Sequence, residues 1–185
     1  MKQFLLAISF LLLTGIAYAG PIVEMKTNLG TIKIELNEAK APQTVSNFLT
    51  YVDQKFYDGT VFHRVIKNFM IQGGGYDKSD NRKETLGSIR NEAANGLKNS
   101  KGTIAMARTN VVDSATSQFF INLVDNNSLD HYGNSSRAYG YAVFGQVISG
   151  MDVVEKIGQV KTIKKSTLLR NYPEPQVVIE SVRKL

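Results

Sequence analysis

The chain of 185 residues contains no cysteine, no tryptophan and only two histidines. Without cysteine there can be no disulfide, no thiolate nucleophile and no thiolate-bound metal. Two histidines alone are too few for a structural zinc site, so no metal is expected. The lack of thiols also suits an oxidising compartment, where a stray cysteine is a liability. There is no G-x-S-x-G turn to present a hydrolase serine. Gly73-Gly74-Gly75 is not a phosphate loop, because the Gly-Lys-Ser/Thr ending and a following helical pattern are both missing. Repeats and low-complexity tracts are absent as well, and the composition is that of one folded, soluble domain.

Apolar residues run together for longest between Phe4 and Ala17. Lys2 precedes this stretch and Ala17-Tyr18-Ala19 follows it as an A-x-A cleavage pattern. The run is short of the roughly 20 residues that a spanning helix needs, so a cleaved signal peptide outranks a membrane anchor. The expected organisation is a signal peptide at 1–19 and a domain at 20–185, with no membrane association in the mature form. The formal net charge is +6. Its basic residues, among them Lys78, Arg82, Lys83, Lys98, Lys101, Lys161, Lys164 and Lys165, are scattered. No recognition helix or aromatic platform accompanies them, so they read as solvated surface and not as a nucleic-acid interface.

The most informative stretch is Val61 to Gly75. Val61, Phe62, Val65, Ile66, Phe69 and Ile71 are strand formers. Lys67-Asn68 can join two strands, with Asn68 tolerating a positive φ. Arg64 and Gln72 are the polar exceptions in this apolar run, and buried polar groups need partners. They either satisfy each other in the core or point into a cleft. Strand parity puts Phe62, Arg64 and Ile66 on one face, opposite His63 and Val65. Parity also prevents Phe119 and Phe120 from sharing a face.

Elsewhere, Ile32, Ile34 and Leu36 alternate with Lys33 and Glu35, predicting a half-buried strand paired with residues 22–27. Val45, Phe48, Leu49, Val52 and Phe56 recur at helical spacing behind Pro42. Ser149-Gly-Met-Asp152 reads as a capping box opening a helix through Ile157. With strands at 103–107, 118–124, 141–147 and 176–183, the pattern gives about eight short strands and two helices. That suits a closed barrel or a sandwich. The long polar stretch 76–101 reads as a functional or mobile loop.

Three blocks resemble the signatures of the cyclophilin-type peptidyl-prolyl cis/trans isomerases, and most closely those of the exported bacterial branch. They are Phe62-His63-Arg64-Val65-Ile66 continuing into Phe69-Met70-Ile71-Gln72-Gly73-Gly74, then Gly102 to Ala107, then Ser117 to Asn122. The resemblance runs from about Ile22 to the C-terminus. It implies a mainly β fold, a closed eight-stranded antiparallel barrel capped by two α-helices, with its interior filled and substrate bound outside. It also implies isomerisation of X–Pro bonds without a nucleophile, base, metal or cofactor.

By the same resemblance Arg64 is the catalytic residue. Phe69, Met70, Phe120 and Leu129 line a slot for the proline ring, and Gln72 binds peptide carbonyls and orients Arg64. Ala107 and Arg108 pair with the substrate main chain, with Arg108 standing where Asn is common. Tyr141 stands where eukaryotic members often carry His. Ser128 occupies the position of a Trp found in cyclosporin-sensitive members, so weak cyclosporin binding is expected. Taken singly, these apolar residues read as ordinary core, His63 as a satisfied core histidine and His131 as a loop support. The implied partners are proline-containing polypeptides in the periplasm, or outside the cell if secreted, met by a monomer that assists folding. The alternative is a chaperone or surface adhesin that grips proline segments, with catalysis incidental.

Overall fold

The computed structural model describes residues 20–185, so the expected signal peptide lies outside the described residues. Ile22–Thr27 (β1) and Gly30–Leu36 (β2) pair antiparallel, and Ile32, Ile34 and Leu36 turn into the core as their alternation requires. Pro42–Asp53 (α1) follows, with Val45, Phe48 and Val52 buried. The remaining strands of the main sheet are Thr60–Val61 (β3), Arg64–Ile66 (β4), Met70–Gly73 (β5), Thr103–Met106 (β6), Phe119–Asn122 (β7), Val143–Ser149 (β8) and Val178–Lys184 (β11). Met151–Gly158 (α2) lies between β8 and a small hairpin, Thr162–Ile163 (β9) with Tyr172–Pro173 (β10).

The main sheet is a curled antiparallel half-barrel of nine strands in the order β3-β11-β1-β2-β8-β6-β7-β5-β4. The expectation of a closed eight-stranded barrel is therefore corrected. The edge strands β3 and β4 are consecutive in the chain but do not pair. Phe62 and His63, which join them, leave the strand conformation. Phe62 N–H donates to the Val177 carbonyl at 2.9 Å, whereas Val65 N–H turns to Asn171 beside β10 at 2.9 Å. The break also overturns the parity reading at one residue. Phe62 packs in the core beside Val65, while Arg64 faces out.

The capping-box reading at Ser149 is corrected too. Ser149 closes β8 opposite Lys33, and the cap of α2 is Gly150 at φ +82, with no side-chain cap. A Cβ on Gly150 would lie 2.3 Å from the Thr31 carbonyl oxygen, so close backbone approach and a left-handed φ both demand glycine.

Sheet pleating sorts side chains into two layers. Val65, Ile71, Ile104, Phe119, Ile121 and Phe144 point inward, joining Phe48 and Tyr57 in an aromatic core. Met70, Ala105, Phe120 and Val143, one step away along the same strands, form a second cluster on the outer face. Phe119 and Phe120 thus fall on opposite faces. The filled interior leaves the outer face as the place for a ligand.

Candidate active site

The short turn at Lys67-Asn68, with Asn68 at φ +56, holds β4 against β5 in a register that sets Arg64 opposite Gln72. Arg64 Nη1 donates to Gln72 Oε1 at 3.3 Å, and Gln72 Nε2 donates to Gln118 Oε1 at 3.0 Å. Gln118 is part of a signature block, yet its role as the third member of this chain was missed. The signal available was the glycine run: a Cβ on Gly75 would come within 2.6 Å of the Gln118 side chain. Arg64 is half-buried, and burial draws its guanidinium below the ordinary value while nearby Tyr141 opposes the shift. It remains a cation at neutral pH.

Next to Arg64 lies the outer apolar cluster. Met70 and Phe120 are buried in it, and Phe69, Ala107, Leu129 and Tyr141 pack around them with Ile66 and Leu97. The six apolar residues named from sequence are therefore brought together. Tyr141 stands edge-on to Phe120, with ring centroids 5.6 Å apart. A separate cavity of about 630 Å³ beside Glu35–Ala39 and Lys98 shares only Leu97 and Val143 with the cluster, and none of the candidate residues lines it.

The sequence expectation for Arg108 concerned its main chain; its side chain has a separate structural role. Its guanidinium donates to the carbonyls of Gly140 (2.9 Å), Thr109 (2.9 Å) and Ser136 (2.7 Å) and lies 4.8 Å from the Tyr141 ring centroid. The side chain thus clamps the loop that carries Tyr141. Ala107 N–H is taken by the Gln118 carbonyl at 2.9 Å, so a substrate main chain would meet the Ala107 carbonyl. His131 supports the same loop through Nδ1, 2.9 Å from the Tyr139 carbonyl.

A buried amide network behind the groove was also missed. Asn126 Nδ2 donates to the Phe69 carbonyl (2.9 Å) and to Asn122 Oδ1 (2.7 Å). Asn122 donates to Thr103 Oγ1 (2.8 Å), and Asn99 N–H donates to Asp130 (2.7 Å). With the bond from Asn99 Nδ2 to the Leu129 carbonyl at 3.1 Å, these fix the main chain at Phe69 and Leu129, and satisfied buried networks of this kind rigidify what they touch. Most partners of these asparagines lie far away in sequence, so no local pattern reveals the network.

His63 is 6% exposed and packs on Tyr76, but its Nδ1 has no hydrogen-bond partner among the described residues, which corrects the reading of a satisfied core histidine. Burial lowers its pKa from 6.5 to about 4; the Val61 main chain opposes the fall and the Arg64 charge adds to it. The folded state thus favours neutral His63. The unfolded chain binds the extra proton below about pH 6.5, so this contribution is complete above that pH. It is lost as pH falls through about 4, and at ~1.36 kcal/mol per unit it amounts to roughly 3 kcal/mol. Chemical denaturation between pH 7 and 4 should show this slope, and His63→Gln should flatten it. An unchanged slope in that variant would assign it to other groups.

The comparisons with known proteins decide the family. The family described as cyclophilin type peptidyl-prolyl cis-trans isomerase/CLD matches residues 22–184. The chain belongs to this family. A protein of Acinetobacter baylyi named peptidyl-prolyl cis-trans isomerase is 53% identical over 184 residues, covering 99% of this chain and 95% of that protein. Peptidyl-prolyl cis-trans isomerase B of Escherichia coli is 52% identical over 161 residues, covering 87% of this chain and 98% of that protein. Among solved structures, a cyclophilin-type isomerase of Cryptosporidium parvum, crystallised in the presence of the dipeptide Ala-Pro, is 25% identical. It superposes with a TM-score of 0.73, covering 89% of this chain and 98% of that one. This chain is accordingly a peptidyl-prolyl cis/trans isomerase, and its mainly β, cyclophilin-like fold is the expected one in outline.

Proposed function

We propose that the outer groove binds proline-containing segments of exported polypeptides and that Arg64 accelerates rotation about their X–Pro bonds. An X–Pro amide isomerises over a barrier of ~18–20 kcal/mol, and each ~1.36 kcal/mol removed is tenfold in rate. Twisting the amide breaks conjugation and turns the proline nitrogen into a hydrogen-bond acceptor, which it is not in the planar ground state. A fixed donor aimed at that nitrogen therefore binds the transition state better than the substrate. The observation that carries the reading is the Arg64–Gln72–Gln118 chain set against an apolar slot. The proline ring occupies the slot beside Phe69, Met70, Phe120 and Leu129, and Gln72 receives a peptide carbonyl while steadying Arg64.

Cis-to-trans exchange of a short X–Pro peptide, followed in the cold, tests this. The uncatalysed process takes tens to hundreds of seconds at 25 °C, so acceleration is easy to read. A folded protein that leaves the rate unchanged would overturn the reading. Export rests on Lys2, the apolar run and Ala17-Tyr18-Ala19. The mature periplasmic or secreted protein should begin at Gly20 by mass spectrometry. Folding assistance is the role this location gives the activity.

Ser128 is exposed in the short helical turn Asn127–Leu129 at the rim of the slot. It offers cyclosporin neither a large apolar contact nor an indole donor. Inhibition should need far more than nanomolar drug, and Ser128→Trp should tighten it by about tenfold or more, at ~1.4 kcal/mol per decade. Nanomolar inhibition of the unaltered protein would contradict this.

A further inference from the structure

The edge of β4 that carries Arg64 has a neighbour outside the main sheet. The β9–β10 hairpin packs along it, tied by the bond from Val65 N–H to the Asn171 carbonyl. Beside this tie opens a cavity of about 350 Å³ lined by Thr162, Ile163, Lys164, Arg170 and Asn171. The cavity is therefore one main-chain hydrogen bond away from the residue that follows Arg64.

Its charge is not neutralised locally. Lys165, next to Lys164, is paired with Asp80 and lies 4.6 Å from the Tyr172 ring centroid. Tyr172 in turn donates to Asp80 at 2.6 Å, so the carboxylate that pairs with this hairpin among the described residues is already engaged. Lys164 and Arg170 have no carboxylate partner within salt-bridge distance among the described residues. Arg170 Nε donates to the Thr167 carbonyl at 3.3 Å, which fixes the guanidinium at the mouth while leaving its terminal nitrogens free to donate. Thr162 adds a hydroxyl.

Two unpaired cations, one of them a planar fork, lining one cavity with a hydroxyl make a carboxylate receptor. We propose that this cavity is a specificity subsite of the isomerase groove, taking the side chain of an aspartate or glutamate a few residues from the substrate proline. The subsite rests on the isomerase reading and deepens it. An extended peptide crossing Arg64 continues over the β4 edge and lays an acidic side chain between Lys164 and Arg170. The interaction is solvent-exposed, so it modulates selectivity without dominating binding.

The test uses the full mature chain and blocked proline peptides carrying glutamate, glutamine or lysine at each position two to four residues from the proline, on either side. At one or more positions kcat/KM should be about three- to tenfold higher for glutamate than for glutamine, with lysine lowest, and 0.5 M salt should compress the spread. Lys164→Ala with Arg170→Ala should bring the glutamate-to-glutamine ratio close to one, and Lys164→Glu with Arg170→Glu should invert it. The control pair Lys40→Ala with Lys184→Ala, which removes the same charge from distant exposed positions, should keep the ratio. Equal rates for glutamate and glutamine peptides at every position overturn the subsite and leave the isomerase reading standing. A preference that survives Lys164→Ala with Arg170→Ala overturns it too, and assigns selectivity to the net charge of the protein. Failure on every peptide overturns the isomerase reading, and the subsite with it.

Discussion

Arg64→Ala should lower kcat/KM for X–Pro exchange by about two to three orders of magnitude while changing peptide affinity little. The range is that measured for removing one donor aimed at developing charge, ~10²–10³. In the proposed mechanism Arg64 meets the twisted amide nitrogen, which does not accept a hydrogen bond in the ground state, so its contribution falls on the rate and not on binding. The apolar slot that grips the ring is untouched by the change. The fold should survive, because Arg64 is only half-buried and its one recorded side-chain bond, to Gln72, is long at 3.3 Å. Arg64→Lys should recover little, since an ammonium is a point charge on a flexible stem and cannot both hold Gln72 and present a second fixed donor. Activity of Arg64→Ala within about threefold of the parent, measured beside an unchanged melting curve, would remove Arg64 from the mechanism. Peptide titration with the same variant separates the two roles. Binding lost together with rate would make Arg64 a grip on the ground state.

The residues of this site were legible through the family resemblance of the signature blocks, and period-two parity added direction only for those in strands, Arg64, Met70, Gln72 and Phe120. Within β4, β5 and β7 the pleat sets Val65, Ile71, Phe119 and Ile121 inward and Met70 and Phe120 outward, whereas Phe69 sits in the turn and joins the outer cluster beside Met70. Parity also failed upstream, at Phe62, because it assumes an unbroken strand and the chain leaves the sheet at Phe62 and His63. The same break separates β3 from β4 and turns the expected eight strands into nine. The β9–β10 hairpin was invisible for a related reason: its strands are two residues long, too short for any alternation. Arg108 and the Asn99–Asn122–Asn126 network act mainly through groups distant in sequence, among them the Gly140, Ser136 and Phe69 carbonyls, the Thr103 hydroxyl and the Asp130 carboxylate. Those partners are fixed only by tertiary folding, so no local pattern announces them. Ser149 shows the opposite error, a capping signature within a strand, overruled by a glycine that the crowded backbone required.

Phe119 and Phe120 allow fold and function to be separated by one residue. Phe119 is fully buried and meets Phe48, Tyr57 and Phe62 edge-on at 5.5–6.1 Å. Truncating it leaves a closed cavity among aromatic neighbours that cannot collapse, so Phe119→Ala should lose about 3–5 kcal/mol of stability. At ~2–4 °C per kcal/mol for a domain of this size, the melting temperature should fall by roughly 10 °C or more. Well below that temperature its kcat/KM should stay within a few-fold of the parent, because its side chain faces away from the groove. Phe120 is also well covered, at 4% exposure, but by the rim of an open groove. The space left by Phe120→Ala is reachable by water, so about 1–2 kcal/mol is the expected loss of stability. The effect on turnover should be larger, about ten- to a hundredfold in kcat/KM, since the proline ring loses an aromatic wall and Tyr141 loses its edge-on partner. Thermal melts and peptide exchange on the two variants should therefore rank them in opposite orders. The same order in both assays would mean that the outer cluster is a second core and that the proline slot lies elsewhere on the sheet.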